Sequence, residues 1–152
     1  MLRTQINEAM KDALRAKDER TLATVRLMVS RMKDLDIAAR PKGNADGISN
    51  DEIMAMLQSM IKQRRESIAL YEKGNRADLV KQESEEIAVI ERFLPQQMDT
   101  AAINAAIDKI IAATGAKDVK DMGKVMGEMK KAYAGQMDFS QASALVKARL
   151  VG

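Results

Sequence analysis

The sequence predicts an all-α protein, with a four-helix N-terminal domain over residues 1–95 followed by a three-helix C-terminal domain over residues 96–152. Three observations lead there. Apolar residues recur at three- and four-residue spacing through seven segments, as amphipathic helices require. No segment alternates apolar and polar residues for long enough to make a sheet. Helix starts and stops, among them Ser49, Gly74, Pro95, Gly115 and Gly135, fall between those segments.

The first helix is expected from about Leu2 to Lys17, with Leu2, Ile6, Met10 and Leu14 as its buried stripe. Asp18 is a candidate N-cap for the second, because its carboxylate can accept from the free amides of the first turn. Leu22, Val25, Met28, Val29, Met32 and Leu35 carry that helix's stripe, with Arg20, Arg26, Arg31 and Lys33 off it or at its margin. Residues 40–47 are a loop rich in Gly and Pro. No strand precedes it and no Gly-Lys-Ser/Thr follows, so it is not a nucleotide cradle.

Ser49 to Glu52 reads as a capping box that opens a long third helix to about Lys73, with Ile53, Leu57, Met60, Ile61, Ile68 and Tyr71 inward. Lys62, Arg64 and Arg65 form the densest basic cluster of the chain. They can meet phosphates as a secondary patch, or pair with Glu83, Glu85, Glu86 and Glu91 of the next helix. That fourth helix is expected from about Arg76 to Leu94. Pro95 stops it, since the residue before proline disfavours helical angles. Asp99 or Thr100 caps the fifth helix, which buries Ile103, Ile107, Ile110 and Ile111 and ends at Gly115. Asp118 opens the sixth and Gly135 ends it. Asp138 to Gln141 reads as a second capping box, starting a seventh helix that buries Ala142, Leu145, Val146 and Leu150.

Composition narrows the chemistry. The 152 residues include no Cys and no His, which removes disulfides, thiol nucleophiles, imidazole catalysis and nearly every zinc site. A net charge of +3 permits contact with phosphate without demanding it. With two Phe, two Tyr and no Trp, the core must be aliphatic, and the twelve Met are expected to fill it. No segment is apolar enough to span a membrane, and no signal peptide is visible. Glu8 and Asp12 argue against a transit peptide, and a cytoplasmic setting is expected.

The sixth helix carries the functional question. Met122, Val125, Met126, Met129 and Tyr133 share one face, while Gly123, Gly127 and Ala134 fall on another, between Lys130 and Lys131. A glycine inside a helix costs about 1 kcal/mol against alanine, so close approach to this bare backbone is expected. The approaching body is either another helix or the sugar-phosphate chain of a nucleic acid.

The stretches Met60 to Ile68, Glu86 to Gln97, Asp121 to Gly127 and Val146 to Leu150, in this order, resemble the YqeY family. Members of that family share their C-terminal region with the tail of GatB, the B subunit of the tRNA-dependent amidotransferase. The resemblance implies a tail-like three-helix domain that contacts tRNA. Its matching positions are Gly123, Lys124, Gly127, Lys130, Lys131, Gly135, Lys147 and Arg149. It also implies a family-level association with a carbon-nitrogen ligase using glutamine as amido-N-donor.

Three readings stand side by side. The first is a non-catalytic accessory module that contacts tRNA or other structured RNA, alone or beside a translation-associated protein partner. Near absence of aromatics would make it read backbone and shape rather than stacked bases. The second is a helical protein-interaction module. The third is a component of the ligase, although no residue marks a nucleophile, and Glu83, Glu85, Glu86 and Glu91 read as a solvated acidic face rather than magnesium ligands. No cofactor, catalytic residue or metal site is expected.

Overall fold

The computed structural model describes residues 1–151, and the described residues are all-helical, with seven α-helices and no strand. The helices pack as two compact units, the first from Met1 to Leu94 and the second beginning at Pro95. No helix among the described residues is long and apolar enough to cross a membrane.

The first unit contains α1 (Leu2–Ala16), α2 (Glu19–Ala39), α3 (Asn50–Lys73) and α4 (Ala77–Glu91). Asp18 caps α2 by accepting from the Thr21 amide, and its carboxyl is held low by the Thr21 hydroxyl and amide. Ser49 and Glu52 form the reciprocal capping box that starts α3. The left-handed residue closing the α3–α4 turn is Asn75 (φ 56°), one position beyond Gly74. Ile6, Val25, Met28, Leu57 and Ile90 are completely buried in one aliphatic core. Truncating any one of the larger of these to alanine costs about 2–5 kcal/mol.

Three expectations for this unit are corrected. Leu14 is 58% exposed, and Ala13 takes the buried position in the last turn of α1. The chain reverses at Asp18, so the last turn of α1 presents only a small residue to the core. Helix α4 ends at Glu91, and residues 92–94 form turns ahead of Pro95, with Phe93 and Leu94 still packed on the core. Met56 is buried in α3 beside Ile53, Leu57, Met60 and Ile61, whereas Ile68 and Tyr71 are only half-buried and lie outside the core.

One polar constellation ties α1, α2 and the connection to α3. The Arg3 guanidinium donates to both oxygens of Asp36, at 2.7 and 2.8 Å, and also to the Ile48 carbonyl at 3.3 Å. The Ile48 amide donates to Asp36 Oδ1 at 2.8 Å. Directly above lies Gly47 at φ +94°. A Cβ there would stand 2.8 Å from both Arg3 and Asp36, so the loop can lie this close only as glycine.

The second unit contains α5 (Thr100–Thr114), α6 (Met122–Tyr133) and α7 (Phe139–Val151). Asp99 caps α5 through the Ala102 amide, and Gly115 ends it at φ 69°. Asp118 caps a 3-10 turn, Val119–Asp121, rather than α6 itself. Asp121 reaches back to the Lys117 and Asp118 amides, which hold its carboxyl below the usual range. Asp138 accepts from the Ser140 amide at the start of α7, a one-sided cap in place of the expected box. Ile103, Ile107, Val125, Met129, Met137, Ala142 and Val146 make the core.

The start of this unit is fastened to the α6–α7 turn. The Gln97 side chain donates to the Gly135 carbonyl at 2.6 Å, and the Met98 amide donates to the Gln136 carbonyl at 2.8 Å.

Two outcomes follow from these polar ties. Asp36→Asn is expected to lower stability at pH 7 by about 2 kcal/mol, the scale of a part-exposed charged hydrogen bond, in urea unfolding followed by circular dichroism. The Arg3 guanidinium, and then the Ile48 amide, hold the Asp36 carboxyl below its usual range. Its contribution is therefore complete above the unfolded carboxylate value of about 4 and is lost as pH falls through the lower folded value, where variant and parent converge. A constant difference down to pH 2 contradicts this.

A fragment beginning at Pro95 is expected to fold alone and give a dispersed amide NMR spectrum. One beginning at Met98 lacks Gln97 and is expected to be less stable by about 1 kcal/mol. A collapsed spectrum for the longer fragment refutes the boundary.

Candidate nucleic-acid interface

Helix α6 presents two unlike faces. Val125 and Met129 are completely buried, with Met122, Met126 and Tyr133 packed at the edges of the same core. The opposite arc carries Gly123, Gly127, Lys130 and Lys131, all exposed. A Cβ added at Gly123 or Gly127 would meet nothing within 4 Å. The glycines therefore do not admit a neighbouring helix, and the packing alternative for this face is not what the structure contains. The face measures about 12 Å from Gly123 to Lys131 at the α-helical rise.

The expected site residues divide into groups. Gly123, Gly127, Lys130 and Lys131 come together as a strip of bare backbone bracketed by two ammonium groups. Neither lysine makes an ion pair or hydrogen bond with the described residues. Lys124 stands at the margin, and its Nζ donates to the Thr114 carbonyl at the end of α5, at 3.4 Å. Glu128 is an exposed acid beyond that margin. Lys147 is exposed on α7.

Two residues are set apart from the strip. Gly135 is buried at φ 77° in the α6–α7 turn, where its carbonyl receives Gln97, so its part is in closing the turn. Arg149 is ion-paired with Asp108 across to α5.

The secondary patch is partly drawn onto α4. Arg64 is largely covered, donating from Nε to Glu86 at 3.0 Å with Glu83 at 3.9 Å, and donating from Nη1 to the Met60 carbonyl. Burial, with Glu86 adding to it, raises the Glu83 carboxyl. Arg65 lies 3.5 Å from Glu91, and Arg20 of α2 lies 3.5 Å from Glu85. Of the three cations only Lys62 remains free of a partner in the described residues, so the intramolecular alternative is the one realised. The acidic face of α4 is accordingly engaged with arginines. Among the described residues no group of three or more His, Cys, Asp or Glu is placed to hold a metal ion.

The missed residues of consequence are Asp36 and Gln97. Each acts on a partner more than thirty positions away, and nothing in its immediate sequence marks it.

The fold and this strip define a protein whose described residues are all-helical, in seven α-helices, with a cationic, glycine-bared helix face. Residues 3–150 match the family described as Yqey-like protein, and the chain belongs to that YqeY-like family. Among its relatives are proteins named "Altered inheritance of mitochondria protein 41, mitochondrial". The one from Lachancea thermotolerans is 28% identical over 150 residues, covering 96% of this chain and 77% of that protein. The one from Vanderwaltozyma polyspora is 30% identical over 102 residues, covering 62% and 53%. The one from Saccharomyces cerevisiae is 30% identical over 126 residues, covering 79% and 65%. The matched regions thus leave between about a quarter and a half of these relatives uncovered.

Because the space beside Gly127 is open, Gly127→Ala is expected to stabilise the second unit by about 0.5–1 kcal/mol through helix propensity alone. Thermal unfolding of full-length protein measures it. Destabilisation would mean that a neighbour does pack there.

Proposed function

We propose that this protein is a non-catalytic accessory module that contacts tRNA or another structured RNA through the α6 face. The observation that carries the reading is the open glycine backbone between Lys130 and Lys131. Gly127 inside α6 is unfavourable by about 1 kcal/mol and Gly123 in the first turn by less, and here no packing partner offsets that. A ribose-phosphate strand could lie against bare backbone while both ammonium groups reach its phosphates. The aliphatic composition leaves no platform for stacked bases, so recognition would rest on phosphate position and duplex shape.

The related tail of the amidotransferase B subunit supports the same reading, and on this reading the ligase association of that family reflects ancestry rather than activity. A translation-associated partner would supply any chemistry. A cytoplasmic setting belongs to this proposal as well. The word "mitochondrial" in the names of the yeast relatives describes those proteins.

The test is a titration of full-length protein with folded tRNA at two salt concentrations, beside Lys130→Ala/Lys131→Ala. Saturable binding is expected to weaken steeply with salt. The variant should bind several-fold more weakly and with a salt slope shallower by about two, one per lysine. Unchanged helical circular dichroism separates this from unfolding. Equal affinity of variant and parent at low salt would reject the residue assignment, and no binding at low salt would reject the RNA reading.

A further inference from the structure

A second cationic surface lies in the first unit, beside the Arg3–Asp36 pair. Between α1 and α2 runs a solvent-open groove of about 470 Å³. Its floor is apolar, formed by Val29 and the nearly buried Met32. Ile37 also lines it yet is 57% exposed, an aliphatic side chain left without cover. Lys33 of α2 and Arg40, which opens the 3-10 turn directly after α2, line the groove too, seven residues apart in the sequence. Arg26 lies another seven residues before Lys33 on α2 and is exposed.

None of these three cations makes an ion pair or hydrogen bond with the described residues, although the field of Arg40 does reach Asp36. The carboxylate in the groove, Asp36, is already occupied by Arg3 and the Ile48 amide, so it does not neutralise the rim. The other acid on this stretch of α2, Asp34, is exposed.

We propose that this groove docks an acidic amphipathic helix of a partner protein. Charge and shape select that occupant together. Apolar side chains at three- and four-residue spacing would cover Val29 and Ile37. Carboxylates seven residues apart on the same helix would meet Lys33 and Arg40, with Arg26 available to a longer one. A phosphate chain would satisfy the cations but leave the apolar floor wet, and a small anion would leave Ile37 uncovered. The groove is independent of the α6 face, so the two surfaces stand or fall separately.

The experiment is a selection of displayed helical peptides against the full chain, followed by titration of one synthetic selected peptide. Enrichment of acidic peptides with apolar residues at helical spacing is expected. The chosen peptide should bind Lys33→Glu/Arg40→Glu and Ile37→Asp at least tenfold more weakly than the parent, and should perturb the amides of Val29, Met32 and Ile37. All three substituted side chains are exposed, and circular dichroism checks that the variants stay folded. Enrichment of neutral or basic peptides, no enrichment over an unrelated helical protein, or affinity indifferent to both variants would overturn the proposal. So would folded tRNA displacing the peptide from wild-type protein but not from Lys130→Ala/Lys131→Ala, because the peptide would then occupy the α6 face.

Discussion

The bidentate pair between Arg3 and Asp36 is the contact on which the first unit depends. Four helices with almost no aromatic residues can slide and rotate at little loss, because aliphatic surfaces are interchangeable over small displacements. A planar guanidinium against a carboxylate is not interchangeable in that way. Arg3 holds α1 against the end of α2, and both groups bind the backbone of Ile48, so the entry to α3 is set by the same constellation. Gly47 has to be a glycine because this cluster occupies the space of a side chain. The second unit uses the same device with neutral groups, where Gln97 reaches the carbonyl of left-handed Gly135.

The distribution of charge follows from which cations the folded units leave over. Arg64, Arg65 and Arg20 are drawn onto the acidic helix α4, and Arg149 onto Asp108. Of the densest basic cluster of the sequence, Arg64 is therefore withdrawn, while Arg65 is surface-paired and Lys62 stays free among the described residues. Lys130 and Lys131, and in the first unit Arg26, Lys33 and Arg40, are left for solvent or for a partner. Arginines in this chain tend to build and lysines tend to remain free, which matches the fork geometry of the one and the strong hydration of the other.

The two free surfaces differ in what lies between the charges. On α6 it is bare backbone with no apolar atoms beyond Cα, suited to a polar strand that must come close. On the α1–α2 groove it is methionine, valine and an exposed isoleucine, suited to side chains that exclude water. Equal net charge would not distinguish such surfaces, whereas their packing does.

The sequence by itself determined the helices, their order and most of their ends. Ser49, Asp99, Asp18 and Gly115 act on amides or carbonyls within four residues, and a local interaction is legible in local sequence. It also determined most of the buried stripes, since helical periodicity is a local property as well. It misplaced Leu14, because whether the last turn of α1 finds a neighbour depends on where the chain turns back rather than on α1 itself.

Tertiary structure decided everything that joins distant residues. It paired Arg3 with Asp36 across 33 positions and Gln97 with Gly135 across 38. It covered Arg64 and paired the still exposed Arg65 with Glu91 by placing α4 beside them. It left Gly123 and Gly127 facing open space where a packed helix was equally expected. In each case the sequence supplies a group that could bond or be covered, and only the proximity of another segment determines whether it is.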